Sequence, residues 1–181
     1  MKVHEPGVRP GFEWVLPVDD ADHEYLWSLD GTPRRSTWQP MPVSRLTVAD
    51  DGSPRNEADL PWLGAHVLVL RPSAVAALGG LLEHHGELLP LACPDADLWL
   101  FNTLTVVDAL DEERSELVRF DDGTVLAVER YEFRATAVVP VFKVPQLLRG
   151  PLFVSDEFAS AVTEAGLTGL ELTEAWAGPA S

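Results

Sequence analysis

Cysteine is almost absent from this sequence, since Cys93 is the single example among 181 residues. One thiol cannot form an internal disulfide and cannot hold a metal ion by itself, which excludes a disulfide-stapled scaffold and a cysteine-based zinc site. Hydrophobic runs approaching the roughly 18–20 residues that cross a bilayer are also missing. The N-terminal residues MKVHEPGVRPGFEW contain no apolar segment of the kind that directs secretion. Together these absences predict a cytoplasmic protein.

Basic side chains are scarce as well, with 13 lysines and arginines against 29 aspartates and glutamates. The formal net charge is −16 and the pI is about 4.5. Such a surface repels phosphate, which argues against DNA, RNA and anionic membranes as partners. It attracts a basic protein and speeds their encounter, although an acidic surface also serves solubility alone. The hydrophobic fraction of 46% is sufficient for a folded core.

Proline and glycine, 15 and 13 in number, divide the chain into short segments. Asp-Gly pairs at 30–31, 51–52 and 122–123 indicate turns, because glycine accepts a positive φ there. Segments typical of strands flank these turns, at 25–29, 43–48, 67–70, 98–101, 116–120 and 124–128. The last two segments, joined through Asp-Asp-Gly, predict a β-hairpin. Trp27 and Trp99 lie in or beside such segments and are expected in the core.

Helical patterns are scarcer and predict two helices. Pro72 opens the first, in which Val75 and Leu78 fall near one face. Ser155 caps the second and Gly166 ends it. The predicted fold class is therefore α+β, a strand-rich protein with an antiparallel or mixed sheet and about two helices. Length predicts a single domain over residues 1–181, in which residues 1–58 are a strand- and turn-rich part of the same unit.

Motifs for catalysis, cofactor binding or metal binding are not found. The sequence has no G-x-S-x-G elbow and no glycine-rich phosphate loop, and Cys93 has no basic neighbour to activate it. The adjacent histidines His84 and His85 point about 100° apart on a helix and do not converge on a metal. No catalytic, cofactor-binding or metal-binding residue is predicted. The many carboxylates still leave open a small hydrolase-type enzyme that uses a carboxylate pair.

Several longer phrases carry a resemblance to a known family. They are DLPWLG (59–64), HVLVLRPSAVAAL (66–78), ELLPL (87–91), FNTLTVVDALDEERSE (101–116), VFKVPQLLRGPLFVSDEF (141–158) and EAGLTGLEL (164–172). In this order and spacing, residues 59–176 resemble the eleventh immunity-protein class of bacterial polymorphic toxin systems, formerly a domain of unknown function. The resemblance implies a cytoplasmic protein that binds and neutralises a toxin encoded beside it, without catalysis or cofactor. It names neither the toxin nor the oligomeric state.

Acidic residues between 83 and 122 predict where a toxin would be held. This stretch contains eleven acids and two bases, more than half of the net charge of the chain. The candidate contact residues are Asp111, Glu112, Glu113, Glu116, Asp121, Asp122 and, on a turn bounded by proline and glycine, Trp62. Against a basic toxin such as a nuclease, these carboxylates would mimic phosphates in its substrate groove. The alternatives are local ion pairs in a solvated turn, core packing for Trp62, and an interaction module that has no toxin partner.

Overall fold

A computed structural model describes residues 1–178. Within them, the α-helices are α1 (Asp20–Trp27), α2 (Pro72–Leu82) and α3 (Asp156–Glu164). The β-strands are β1 (Lys2–Val8), β2 (Trp14–Pro17), β3 (Met41–Leu46), β4 (Leu68–Leu70), β5 (Gly86–Ala92), β6 (Leu98–Thr103), β7 (Glu116–Arg119), β8 (Val125–Arg130), β9 (Val141–Phe142), β10 (Phe153–Ser155) and β11 (Leu170–Ala177). These elements confirm the α+β fold class.

Two sheets and a separate hairpin organise the strands. A five-stranded sheet has the order β2-β3-β5-β6-β4, in which only the β3–β5 pair is parallel. A four-stranded sheet has the order β11-β1-β10-β9 and is antiparallel throughout. The hairpin of β7 and β8 pairs with neither sheet. The first strand of the chain therefore lies between two of the last ones.

The side chains of the strands contribute to three hydrophobic clusters. One cluster packs α1 against a face of the five-stranded sheet, where Val69 and Leu100 are buried. A second packs α2 and α3 together with strand residues of both sheets, such as Leu70 and Val154. The third is aromatic and lies on the other face of the four-stranded sheet, where Phe153 contacts the segment 107–139 that crosses it. Adjacent residues of a strand point to opposite faces of the sheet, and their side chains therefore pack into different clusters.

The helices α2 and α3 confirm both helical predictions. Ser155 caps α3 by accepting a hydrogen bond from the Glu157 N–H, and Gly166 follows the helix with a φ of +64°. Pro72 occupies the first turn of α2. No helix among residues 1–178 is long and apolar enough to span a membrane.

Helix α1 shows that the strand predicted at residues 25–29 is wrong. The Asp19 carboxylate accepts a hydrogen bond of 2.9 Å from the Ala21 N–H and starts the helix. Only Leu26 of this helix is buried, so no apolar stripe marks it in the sequence. Trp27, expected in the core, is instead 59% exposed, and Trp99 is only partly buried.

An ion-pair cluster ties the start of β2 to β3 and to the start of α2. The fully buried carboxylate of Glu13 lies 2.7 Å from Nε of Arg45 and 2.6 Å from Nη2 of Arg71. Glu57, which is mostly exposed, lies 3.2 and 3.3 Å from the same two guanidinium groups. The hydrogen bond that Arg45 donates to Glu13 raises the pKa of Arg45. Such partners are required because a buried carboxylate is costly to desolvate.

A buried lysine fastens the loop after α1 to the C-terminal half of the chain. The Lys143 ammonium donates hydrogen bonds to the carbonyl oxygens of Leu29, at 2.5 Å, and Leu148, at 3.0 Å. Burial lowers the pKa of Lys143 to about 8. The Glu87 carboxylate holds the same loop further along by accepting a hydrogen bond from the Arg34 N–H. The N-terminal third is therefore anchored by side chains that come much later in the sequence.

We propose that the described residues 1–178 fold as one unit. Strand β1 is hydrogen-bonded to β10 and β11, and the strands β2 and β3 extend the sheet of β5 and β6. The cluster around α2 and α3 takes residues from both sheets, so the two sheets share one hydrophobic cluster.

Limited proteolysis checks this proposal. We expect the first cuts to fall in exposed loops and at the ends of the chain, and no stable fragment to survive that lacks β1, β2 and β3. Removing these strands uncovers edges of both sheets and the Lys143 ammonium. A stable fragment beginning near residue 59 would show instead that the N-terminal third is a separate unit.

Candidate functional site

The predicted hairpin is present and its tip is defined by hydrogen bonds. The Phe120 N–H donates to the Thr124 carbonyl at 2.9 Å, and the Gly123 N–H donates to the Phe120 carbonyl at 2.9 Å. Gly123 has a φ of +85°, a conformation that side chains disfavour and glycine accepts. The strands β7 and β8 that carry this tip pair only with each other. The hairpin and the acidic loop before it, residues 108–132, are called the hairpin surface below.

The hairpin surface has a large surplus of negative charge. Its nine acidic and three basic side chains give a formal charge of −6. Each base is already near a carboxylate: Arg119 contacts Glu112 at 2.6 Å, Arg130 contacts Glu116 at 2.9 Å, and Arg114 lies 3.9 Å from Glu132. Asp108 also has a basic partner, since its carboxylate lies 3.0 Å from Nη1 of Arg134, just outside the surface. Carboxylates without such a partner, such as Glu113 and Asp121, give the surface its negative potential.

Two of the predicted contact residues take part in local ion pairs. Besides Arg119, Glu112 accepts a hydrogen bond of 2.7 Å from the Gln146 side chain, and these donors lower the pKa of Glu112. Glu116 faces Arg130 across the hairpin. Both side chains are therefore paired within or beside the hairpin surface. Exposed pairs of this kind contribute about 0.2–1 kcal/mol each.

The remaining acids of the loop and tip divide into turn-forming and unpaired side chains. Asp111 accepts a hydrogen bond from the Arg114 N–H at 3.3 Å, and Asp122 accepts one from the Thr124 N–H at 2.9 Å, which lowers the pKa of Asp122. Glu113 and Asp121 are exposed and form no ion pair or hydrogen bond with another described residue. They are consequently the carboxylates most available to a partner.

Exposed apolar side chains accompany these acids. Phe120 is 54% exposed and Leu126 is 52% exposed, although both belong to the hairpin. Pairing of Val118 with Ala127 and of Arg119 with Val125 leaves Leu126 as an extra residue in β8, a β-bulge. An exposed aromatic ring beside unpaired charges is typical of a protein interface. The sequence analysis did not select either residue, and the position of Phe120 directly before the Asp-Asp-Gly turn is the signal that would have found it.

Trp62 lies apart from the hairpin surface. Its carbonyl accepts a hydrogen bond of 2.8 Å from the Val15 N–H, so its backbone extends the edge of β2. The side chain is partly buried. No hydrogen bond among the described residues joins Trp62 to the acidic loop.

A groove of about 460 Å³ opens at the base of the hairpin. Its lining includes Glu5, Gly7, Glu129, Arg130, Tyr131 and Glu174. Burial raises the pKa of Glu5, and burial together with the charge of Glu5 raises the pKa of Tyr131 to about 12. This groove, called the Glu5 groove below, brings together residues that are far apart in the sequence and was not predicted.

Other reactive side chains do not form a recognisable catalytic set. Burial raises the pKa of the Cys93 thiol, which disfavours the thiolate, and its Sγ lies 3.2 Å from Asp95. The His85 ring contacts the Thr105 hydroxyl at 3.2 Å. Among residues 1–178, no group of three or more histidine, cysteine, aspartate or glutamate side chains has the arrangement of a metal site.

Comparison with protein-family models gives a match to part of the chain. The model of the Immunity protein family (Imm11) matches residues 92–177, just under half of the chain. The match includes the whole hairpin surface, Lys143, α3 and β11, and it confirms the resemblance that the longer phrases indicated. The phrases before residue 92 lie outside it. A search of curated proteins found no match.

Proposed function

We propose, from the match of residues 92–177 to the Immunity protein family (Imm11), that this protein binds a cognate toxin and neutralises it without catalysis. The match is the observation that carries the proposal. An immunity protein acts where its toxin would harm the producing cell, and we therefore place this one in the cytoplasm.

The hairpin surface is the proposed contact site. It lies within the matched residues, it holds unpaired carboxylates at Glu113 and Asp121, and it exposes Phe120 and Leu126 beside them. A central apolar anchor surrounded by charge is the usual anatomy of a tight interface. The surplus of negative charge favours a basic toxin such as a nuclease, whose phosphate-binding groove the carboxylates would occupy.

A small hydrolase is the second candidate, because the Glu5 groove contains several carboxylates and Glu5 has a raised pKa. The pair that a hydrolase requires is less evident, since Glu174 is engaged with Lys2 at 2.5 Å. An interaction module without a toxin is the third candidate, and the absence of a toxin gene beside this one would favour it.

Coexpression tests the proposal. Cells that produce the toxin encoded by the neighbouring gene should stop growing, and coexpression of this protein should restore growth. Tagged protein should also retain the toxin through purification at moderate salt. A catalytically inactive toxin variant serves as the matched control, since it should be retained equally well. Failure of both rescue and retention would contradict the proposal.

A further inference from the structure

The Glu5 groove is an uncovered part of the aromatic face of the four-stranded sheet. Alternate residues of β1 lie on this face: Val3 is buried in the aromatic cluster, and Glu5 and Gly7 follow it toward the groove. Tyr131 of the crossing segment packs its ring on Phe153 and forms one wall of the groove. Gly7 has no side chain to fill the remaining space. The groove therefore lies between the wall that Tyr131 forms and the strand residues Glu5 and Gly7.

Charges around the groove are unbalanced. Glu5 is half-buried and forms no ion pair or hydrogen bond with another described side chain, and the same holds for the exposed Glu129. Arg130, which also lines the groove, is already held by Glu116 at 2.9 Å and by Glu132 at 3.1 Å, and Lys2 is held by Glu174. A half-buried carboxylate without a basic partner is partly desolvated, and no ion pair compensates for the lost hydration. A cation from outside would supply the missing partner.

We propose that the Glu5 groove receives an arginine or lysine side chain of the toxin, with Glu5 as its ion-pair partner. This inference rests on the proposed function, and it adds to the hairpin surface a second contact that binds a basic side chain. Two observations support a cationic occupant: the unpaired carboxylates of Glu5 and Glu129, and the volume of about 460 Å³. The groove is also continuous with the hairpin surface, since Arg130 ends β8 and Tyr131 follows it. One partner would contact both.

Two substitutions test the groove by different means. Glu5→Gln removes the carboxylate charge and keeps the shape. Gly7→Leu fills the space, and the backbone tolerates it, because φ is not positive and an added Cβ would meet only the Glu171 carbonyl oxygen at 3.7 Å. We expect each variant to bind the neighbouring-gene toxin at least about tenfold more weakly than the wild type, with an unchanged melting temperature.

Matched controls separate the groove from general effects of charge and size. Glu24→Gln removes one exposed charge on α1, and Gly80→Leu adds the same side chain on an exposed, open position of α2. Both controls should bind like the wild type. Wild-type affinity in both Glu5→Gln and Gly7→Leu would overturn the groove inference and leave the proposed function intact. A wild-type protein that does not bind the toxin would overturn both.

Discussion

Reversing the charge of Glu113 and Asp121 to lysine is expected to slow association with the toxin by at least about tenfold and to flatten the dependence of the association rate on salt. Both side chains are exposed and unpaired, so their replacement removes attraction without breaking an internal contact. Glu112 is left unchanged, because its hydrogen bonds with Arg119 and Gln146 hold the loop. The measurement is the association rate constant at several salt concentrations.

The control for this experiment is a double variant of equal charge elsewhere. Glu24→Lys and Glu164→Lys change exposed residues on α1 and at the end of α3. Each reversal adds two charges, so both double variants carry −12 in place of −16. We expect the control to associate at a rate close to that of the wild type. Equal slowing in the two double variants would show that net charge, and not the hairpin surface, steers the toxin.

Replacing Glu13 by glutamine is expected to lower the free energy of unfolding by about 3 kcal/mol, which corresponds to a melting temperature lower by about 6–12 °C. The substitution keeps the shape and removes the charge that compensates Arg45 and Arg71, whose side chains are only 15% and 12% exposed. The two poorly solvated guanidinium groups would then keep only exposed carboxylates, Glu57 for both and Asp95 for Arg45. Urea denaturation of the wild type and of Glu13→Gln gives the difference in the free energy of unfolding.

Glu57→Gln is the matched control for Glu13→Gln. It removes a carboxylate from the same two arginines, but one whose side chain is 64% exposed. Solvent screens such a pair, and we expect a loss below about 1 kcal/mol. Equal losses for the two variants would mean that burial of Glu13 contributes nothing, and that the cluster is an ordinary surface network.

Elements with local signals were predicted correctly from the sequence. The cap at Ser155 and the stop at Gly166 locate α3, and the Asp-Gly pair locates the hairpin, because each signal acts on the few residues beside it. Helix α1 has an equally good cap at Asp19, yet the aromatic residues near its end favour a strand by composition. Its capping signal would have given the correct element.

Features that depend on distant residues could not be predicted. β1 contains Pro6 and Gly7, which argue against a strand; at Pro6 the strand pairs only with β11, so a missing N–H is tolerated there. Nothing in the sequence shows that Lys143 is buried, since its partners are carbonyl groups of remote loops. The Glu5 groove likewise exists only where three separated segments meet. The acidic loop was selected by charge alone, and tertiary structure decides which of its carboxylates are free.

Titration of toxin activity against this protein is the measurement that tests non-catalytic neutralisation most directly. A fixed concentration of the neighbouring-gene toxin, well above the dissociation constant, is mixed with increasing amounts of the protein, and the remaining toxin activity is measured at two incubation times. Neutralisation by binding predicts a linear loss of activity that ends at a fixed molar ratio and does not change with time. Loss of activity that continues with time at a small fraction of one equivalent would show turnover and contradict the account.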